Sequence, residues 1–140
     1  MKRRRLAVGL AVGLIVAFGA VTWVALESQE VIVLRTAQAD GEIRITRVWV
    51  AEAEGALWLE AATPERGWYL DLQAQPQLEV ERGGERLCVI ASAEPGPEGH
   101  EKIRSLLRRR YGWADRWVAL LQDTSQSIAV RLDPCGGTRG

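Results

Sequence analysis

Leu6 to Leu26 run for twenty-one positions without a charged side chain, directly behind Lys2, Arg3, Arg4 and Arg5. At about 1.5 Å rise per residue, a helix of that length spans the roughly 30 Å hydrocarbon core of a bilayer. A small soluble domain has no use for so long an apolar helix. Lys and Arg flanking a first span resist translocation. The basic cluster therefore predicts a cytoplasmic N-terminus, with everything from Glu27 onward on the outer, periplasmic or extracellular side. Trp23 falls near the far end, where an indole favours the lipid–water boundary.

The competing reading is a cleaved signal peptide. Such peptides carry apolar cores of about 7–15 residues that end in a small-x-small site. Val24-Ala25-Leu26-Glu27 offers no such exit. The expected organisation is a basic flank over 1–5, an anchor over 6–26, one domain over 27–134 and a loose tail over 135–140. Gly9 and Gly13 have the Gly-x-x-x-Gly spacing that lets two anchors pack closely, which is compatible with a homodimer.

A net charge of zero conceals a partition. Fourteen of the eighteen Lys and Arg residues, but all eighteen Asp and Glu, lie beyond the anchor, a net of −4. That balance argues against a nucleic-acid surface. The 114 residues after Leu26 suffice for one core and are too few for two ordinary domains. Cys88 and Cys135 stand far apart and His100 is the only histidine, so no metal ligand set can be assembled. The cysteines read equally as a disulfide in an oxidising compartment or as two independent thiols. His100 reads as an exposed polar residue at a helix start.

Beyond the anchor the pattern becomes short and β-rich. Strands are expected at 31–34, 43–51 and 56–62, with turns at Asp40-Gly41 and Glu54-Gly55. Thr63-Pro64-Glu65 opens a short helix that closes before Pro76. A hairpin follows, 78–81 and 86–93 about Gly83-Gly84. From Pro97 the period is helical, with Ile103, Leu106, Leu107 and Tyr111 on one face. A second helix carries Trp113, Trp117, Leu120 and Leu121 on one face, and 127–132 is a last strand. Arg108-Arg109-Arg110 read as a solvated helix end. Trp49 and Trp58 read as core. The fold class is α+β: one transmembrane helix, then a small barrel of about six strands with helices at its ends.

The segment Thr63 to Val80, with Trp68, Tyr69, Leu72, Ala74 and Pro76, resembles the Pro-x-Trp-Tyr-x-Asn-Leu-x-Ala-x-Pro-x-Val region of the deazaflavin-dependent nitroreductase and quinone reductase family. Asp71 stands where that family usually has Asn. Gly41-Glu42-Ile43-Arg44 and Tyr111 to Pro134 resemble its first hairpin and its closing helix and strand. The resemblance implies the split β-barrel of pyridoxamine-phosphate-oxidase-like flavoproteins, with deazaflavin or FMN as cofactor. It also implies a quinone-like or nitroaromatic acceptor. The family's first turn reads close to Gly-Arg-Lys-Ser-Gly. Here Ala37-Gln38-Ala39-Asp40-Gly41-Glu42 substitutes two carboxylates, which would repel an anionic cofactor tail.

A flavin-like site needs cations and hydroxyls for the phosphate and a flat apolar wall for the ring. Arg44 and Thr46 share a strand face and are the leading phosphate candidates, with Thr63 and Arg66 beside the short helix. Trp68 and Tyr69 are candidates for the wall or for ordinary core. The function expected is a membrane-anchored reductase of this type. The alternative is a non-catalytic, membrane-tethered binding domain that has lost the cofactor site. The two implications conflict on compartment, because reduced deazaflavin is a cytoplasmic electron carrier and the basic flank places the domain outside.

Overall fold

The computed structural model describes residues 1–27 and 30–136. Helix α1 runs over Lys2–Glu27 and is followed by strands β1 (Val31–Ala37), β2 (Ile43–Ala53) and β3 (Ala56–Ala61). Helix α2 (Gly67–Ala74) leads into the hairpin β4 (Gln77–Arg82) and β5 (Glu85–Glu94). Helices α3 (Pro97–Tyr111) and α4 (Trp113–Leu121) and strand β6 (Ile128–Pro134) complete the chain. All strand pairings are antiparallel and close a barrel in the order β1-β2-β3-β6-β5-β4.

Period-2 alternation divides the apolar residues between two cores. Ile32, Leu34, Val50, Leu59, Val80, Val130 and Leu132 point into the barrel. Trp68, Tyr69 and Leu72 of α2 pack into the same cluster and plug it. The intervening Ala51, Trp58 and Ala129 face outward and are covered by Ile103, Leu106 and Leu107 of α3. This double covering explains why β3 is apolar on both faces. Trp58 is fully buried, with the Lys102 ammonium 4.0 Å from its ring centroid.

The first turn of α3 lies close against the end of β5. A Cβ at Gly99 would sit 1.8 Å from the Glu94 carbonyl oxygen, so only glycine fits. Helix α3 ends where Gly112 takes φ of 52°, a left-handed conformation that turns the chain into α4. The short helix begins at Gly67 rather than at Thr63: Thr63 to Arg66 form a turn, with the Arg66 amide donating to the Thr63 carbonyl.

Helix α1 is long and apolar enough to cross a membrane, and the core of its run is unburied. Its C-terminal part meets α4. Phe18 and Trp117 lie 5.3 Å apart, the Trp117 indole N–H donates to Thr22 Oγ1 at 2.9 Å, and Ala25 is fully buried. Cys88 and Cys135 form a disulfide, Cα–Cα 5.3 Å, where the sequence left pairing open. From position 137 the expected loose tail lies outside the described residues.

Candidate functional site

A cavity of about 260 Å³ opens between β2, the start of α2, α4 and the end of α1. Thr46, Arg47 and Trp49 line it from β2, and Arg66 and Trp68 from α2 and the turn before it. Leu26 of α1 and Val118 and Gln122 of α4 close the other side. Arg47 and Arg66 are exposed, and neither guanidinium enters an ion pair among the described residues. Trp49 is half-buried and part of this lining, with its ring 5.5 Å from Tyr111. The sequence had placed it in the core, as it correctly placed Trp58.

The floor is an ionic cluster that the sequence did not reveal. Arg104 of α3 is 8% exposed and donates to both Glu60 oxygens at 3.0 Å and to both Asp115 oxygens at 2.8 Å. Burial would lower the Arg104 pKa, but the Glu60 and Asp115 carboxylates outweigh it and raise it above the ordinary value. One guanidinium thus ties β3, α3 and α4 together. Nothing in the local pattern marked Arg104, because its partners lie 44 and 11 residues away.

The six sequence candidates do not converge. Thr46, Arg66 and Trp68 line the cavity, whereas Arg44, Thr63 and Tyr69 are not part of its wall. Arg44 instead donates from Nε to Asp71 Oδ2 at 2.8 Å and from Nη2 to Gln38 Oε1 at 2.9 Å. Asp71, buried at 9% exposure, also accepts from Thr36 Oγ1 at 2.7 Å. Trp68 and Tyr69 are buried in the barrel core, and Trp68 alone also reaches the cavity. His100 is half-buried rather than exposed, with Nδ1 2.9 Å from Ser127 Oγ.

Beside the cavity, Glu30 binds Arg82 at 2.6 Å and Arg110 at 2.9 Å. The hydrogen bond from Arg82 is the main reason its carboxyl sits below the usual carboxylate range; burial opposes it, and the bond from Arg110 adds a smaller push in the same direction as Arg82. Burial is the main cause that pushes the Tyr111 hydroxyl pKa up, and that hydroxyl donates to the Val50 carbonyl. These contacts pin the start of the domain to α3.

A family model described as F420H(2)-dependent quinone reductase matches residues 14–133. The chain belongs to that family. No curated protein matches it closely enough to count as a relative. Among solved structures, this F420H(2)-dependent quinone reductase family member resembles a conserved hypothetical protein of Mycobacterium tuberculosis, with a TM-score of 0.60 at 20% identity over 78% of this chain and 75% of that one. An F420-H2 dependent reductase gives 0.54 at 19% identity, over 73% of this chain and 93% of that one. The heme storage protein HutZ of Vibrio cholerae gives 0.57 at 16% identity, over 81% and 87%. At these identities the solved structures establish the split-barrel fold, and the family match establishes a deazaflavin-dependent reductase lineage.

Proposed function

We propose that the chain is a membrane-anchored, deazaflavin-dependent reductase acting on a quinone-like or nitroaromatic acceptor. The observation that carries this reading is the cavity in which Thr46, Arg66 and Trp68 meet beside the uncommitted Arg47. Its residues fit an anionic, flat cofactor: the Trp49 and Trp68 rings offer apolar wall, and Arg47 and Arg66 offer cations. A volume of about 260 Å³ lies just under the roughly 300–1,000 Å³ of typical small-molecule sites. It suits one ring system with the tail left outside, where the two exposed arginines stand.

When bound, the deazaflavin supplies the hydride chemistry, and the protein supplies position and exclusion of water. Leu26 of α1 and Val118 and Gln122 of α4 cover the cavity. Glu60 and Asp115 have their oxygens occupied by Arg104, so neither is a free proton donor. The anchor reading rests on the length and apolarity of α1, and the outer placement on the basic flank. The Cys88–Cys135 disulfide favours the same side, since such bonds persist in oxidising compartments.

The non-catalytic binding domain is favoured by two observations. Asp40 and Glu42 remain exposed in the first turn, and Asp71 occupies Arg44. The deciding experiment titrates reduced deazaflavin and FMN separately into the full-length chain in detergent, followed by cofactor fluorescence. It then measures deazaflavin oxidation on adding a short-chain quinone. Micromolar binding of deazaflavin with quinone-dependent oxidation supports the reductase. Failure of both cofactors to bind below millimolar leaves the binding domain.

A further inference from the structure

Helix α4 buries only part of its circumference. Ala114 and Asp115 face the protein, whereas Trp113, Leu120 and Leu121 are 55%, 81% and 50% exposed. With Trp117 they recur at i, i+4, i+7 and i+8, one continuous face of the helix. A monomeric soluble surface rarely gathers so much aromatic and aliphatic area in nine residues. Beside this face Arg108 and Arg116 stand next to Leu120, both exposed and without ion pairs among the described residues, while Arg110 is taken by Glu30. The exposed carboxylates nearby are Glu101, which shares a pocket wall with Arg108, Arg116 and Leu120, and Asp123 just beyond the helix.

We propose that α4 is a second membrane-contact element, lying in the plane of the headgroup boundary with Trp113, Trp117, Leu120 and Leu121 in lipid and Arg108 and Arg116 at the phosphates. The occupant of the face is an anionic bilayer surface, and the proposal rests on the anchor reading of α1. Continuity with α1 argues for lipid over any other partner. Trp117 docks on α1 at Thr22, four residues before the apolar run ends at Leu26. At 1.5 Å per residue that is about 6 Å of depth, inside the roughly 5–10 Å at which interfacial amphipathic helices sit. Indoles prefer this layer, and each nearby Lys or Arg adds attraction to anionic lipid. The same α4 that faces lipid also lines the candidate cavity through Val118 and Gln122. Docking it therefore places the cavity mouth at the bilayer surface, where a lipid-soluble acceptor is concentrated.

The test uses the full chain in vesicles of three parts phosphatidylcholine to one part phosphatidylglycerol. Because the native cysteines are paired, a single introduced thiol carries the fluorophore, at Leu120→Cys, Val12→Cys or Glu85→Cys. The Leu120 probe should emit to the blue of the Glu85 probe. A lipid nitroxide near the headgroup should quench it several-fold more, and iodide several-fold less. Substituting Arg108 and Arg116 by Gln together should reduce that quenching. A Leu120 probe as wet as the Glu85 probe overturns the proposal. So does one shielded from iodide yet untouched by the nitroxide, because protein would then cover the face. In either case quenching of the Val12 probe shows that the anchor reading survives, and its absence shows that the anchor itself has failed.

Discussion

Arg104→Met should be the most costly single change in the domain outside the apolar core. Arg104 is 8% exposed, Asp115 is 2% exposed, and four close N–H to oxygen contacts hold the two carboxylates around one guanidinium. Methionine keeps much of the volume and removes the charge, leaving Glu60 and Asp115 facing each other in a low-dielectric pocket. Breaking a buried ionic group by removing one partner costs about 3–5 kcal/mol. For a domain of this size, where 1 kcal/mol moves Tm by roughly 3–5 °C, the loss is about 10–20 °C. The penalty should also depend on pH. An uncompensated buried carboxylate has a raised pKa, so the folded variant binds a proton that the unfolded chain releases. The difference from the parent should therefore shrink as pH falls from 7 toward 4, by up to about 1.4 kcal/mol per unit for one proton. Thermal unfolding of the full chain in detergent at pH 7 and pH 5 measures both effects. A loss below about 1 kcal/mol, or one that is the same at both pH values, would refute the claim that this cluster clamps α3, α4 and β3.

Glu30→Gln should lower stability at neutral pH, and the difference from the parent should vanish once the pH has fallen through the depressed folded-state value. The Glu30 carboxyl has its pKa depressed from 4.5, so its contribution is present above that value and lost as pH falls through the folded-state value; acid titration of the variant against the parent checks this. Replacing Cys88 and Cys135 together by Ser removes a cross-link spanning 47 residues, for which chain entropy alone gives about 4 kcal/mol; denaturant unfolding should show a loss approaching that figure, and reducing agent should reproduce it in the parent. Gly99→Ala should destabilise the β5–α3 junction severely, because the new Cβ meets the Glu94 carbonyl at 1.8 Å; an unfolding midpoint within a degree of the parent would contradict the close approach.

The strands along the chain and the two helices after the hairpin were legible because alternation and helical period act locally. Val31 to Val33 and Leu78 to Val80 announce strands through their own neighbours. The outward covering was less visible. Trp58 and Trp49 look alike along the chain, yet one lies under α3 and the other lines the cavity. Of the six candidate residues, Thr46, Arg66 and Trp68 meet at the candidate cavity, the last two because the turn and helix carrying them travel as one segment. Arg104 and Asp115 were not, because a buried ion pair has no local period. Leu26, Val118 and Gln122 join the site only through the docking of α1 on α4, which no spacing within either helix encodes.

Which cation meets an anionic cofactor now turns on Asp71. The resemblance of Gly41 to Arg44 to the family's first hairpin pointed to Arg44 as the chief anion contact, but its guanidinium is shared between Asp71 and Gln38. To reach a phosphate it would have to leave a carboxylate that is 9% exposed and, among the described residues, has only Thr36 as its other side-chain partner. Arg66 and Arg47 face no such competition. A charge-assisted bond to phosphate contributes roughly 1.5–3 kcal/mol. Arg66→Ala should therefore weaken deazaflavin binding by on the order of ten- to a hundredfold, with Arg47→Ala close behind. Arg44→Ala should act mainly on stability, since it strands Asp71. Asp71→Asn separates the two accounts: with the carboxylate neutralised, Arg44 is free to turn toward the ligand, and binding should tighten while Tm falls. If Arg44→Ala instead weakens binding as much as Arg66→Ala, with Tm unchanged, then the Arg44–Asp71 pair opens when ligand arrives. In that case the substitution at 71 regulates the site rather than closing it.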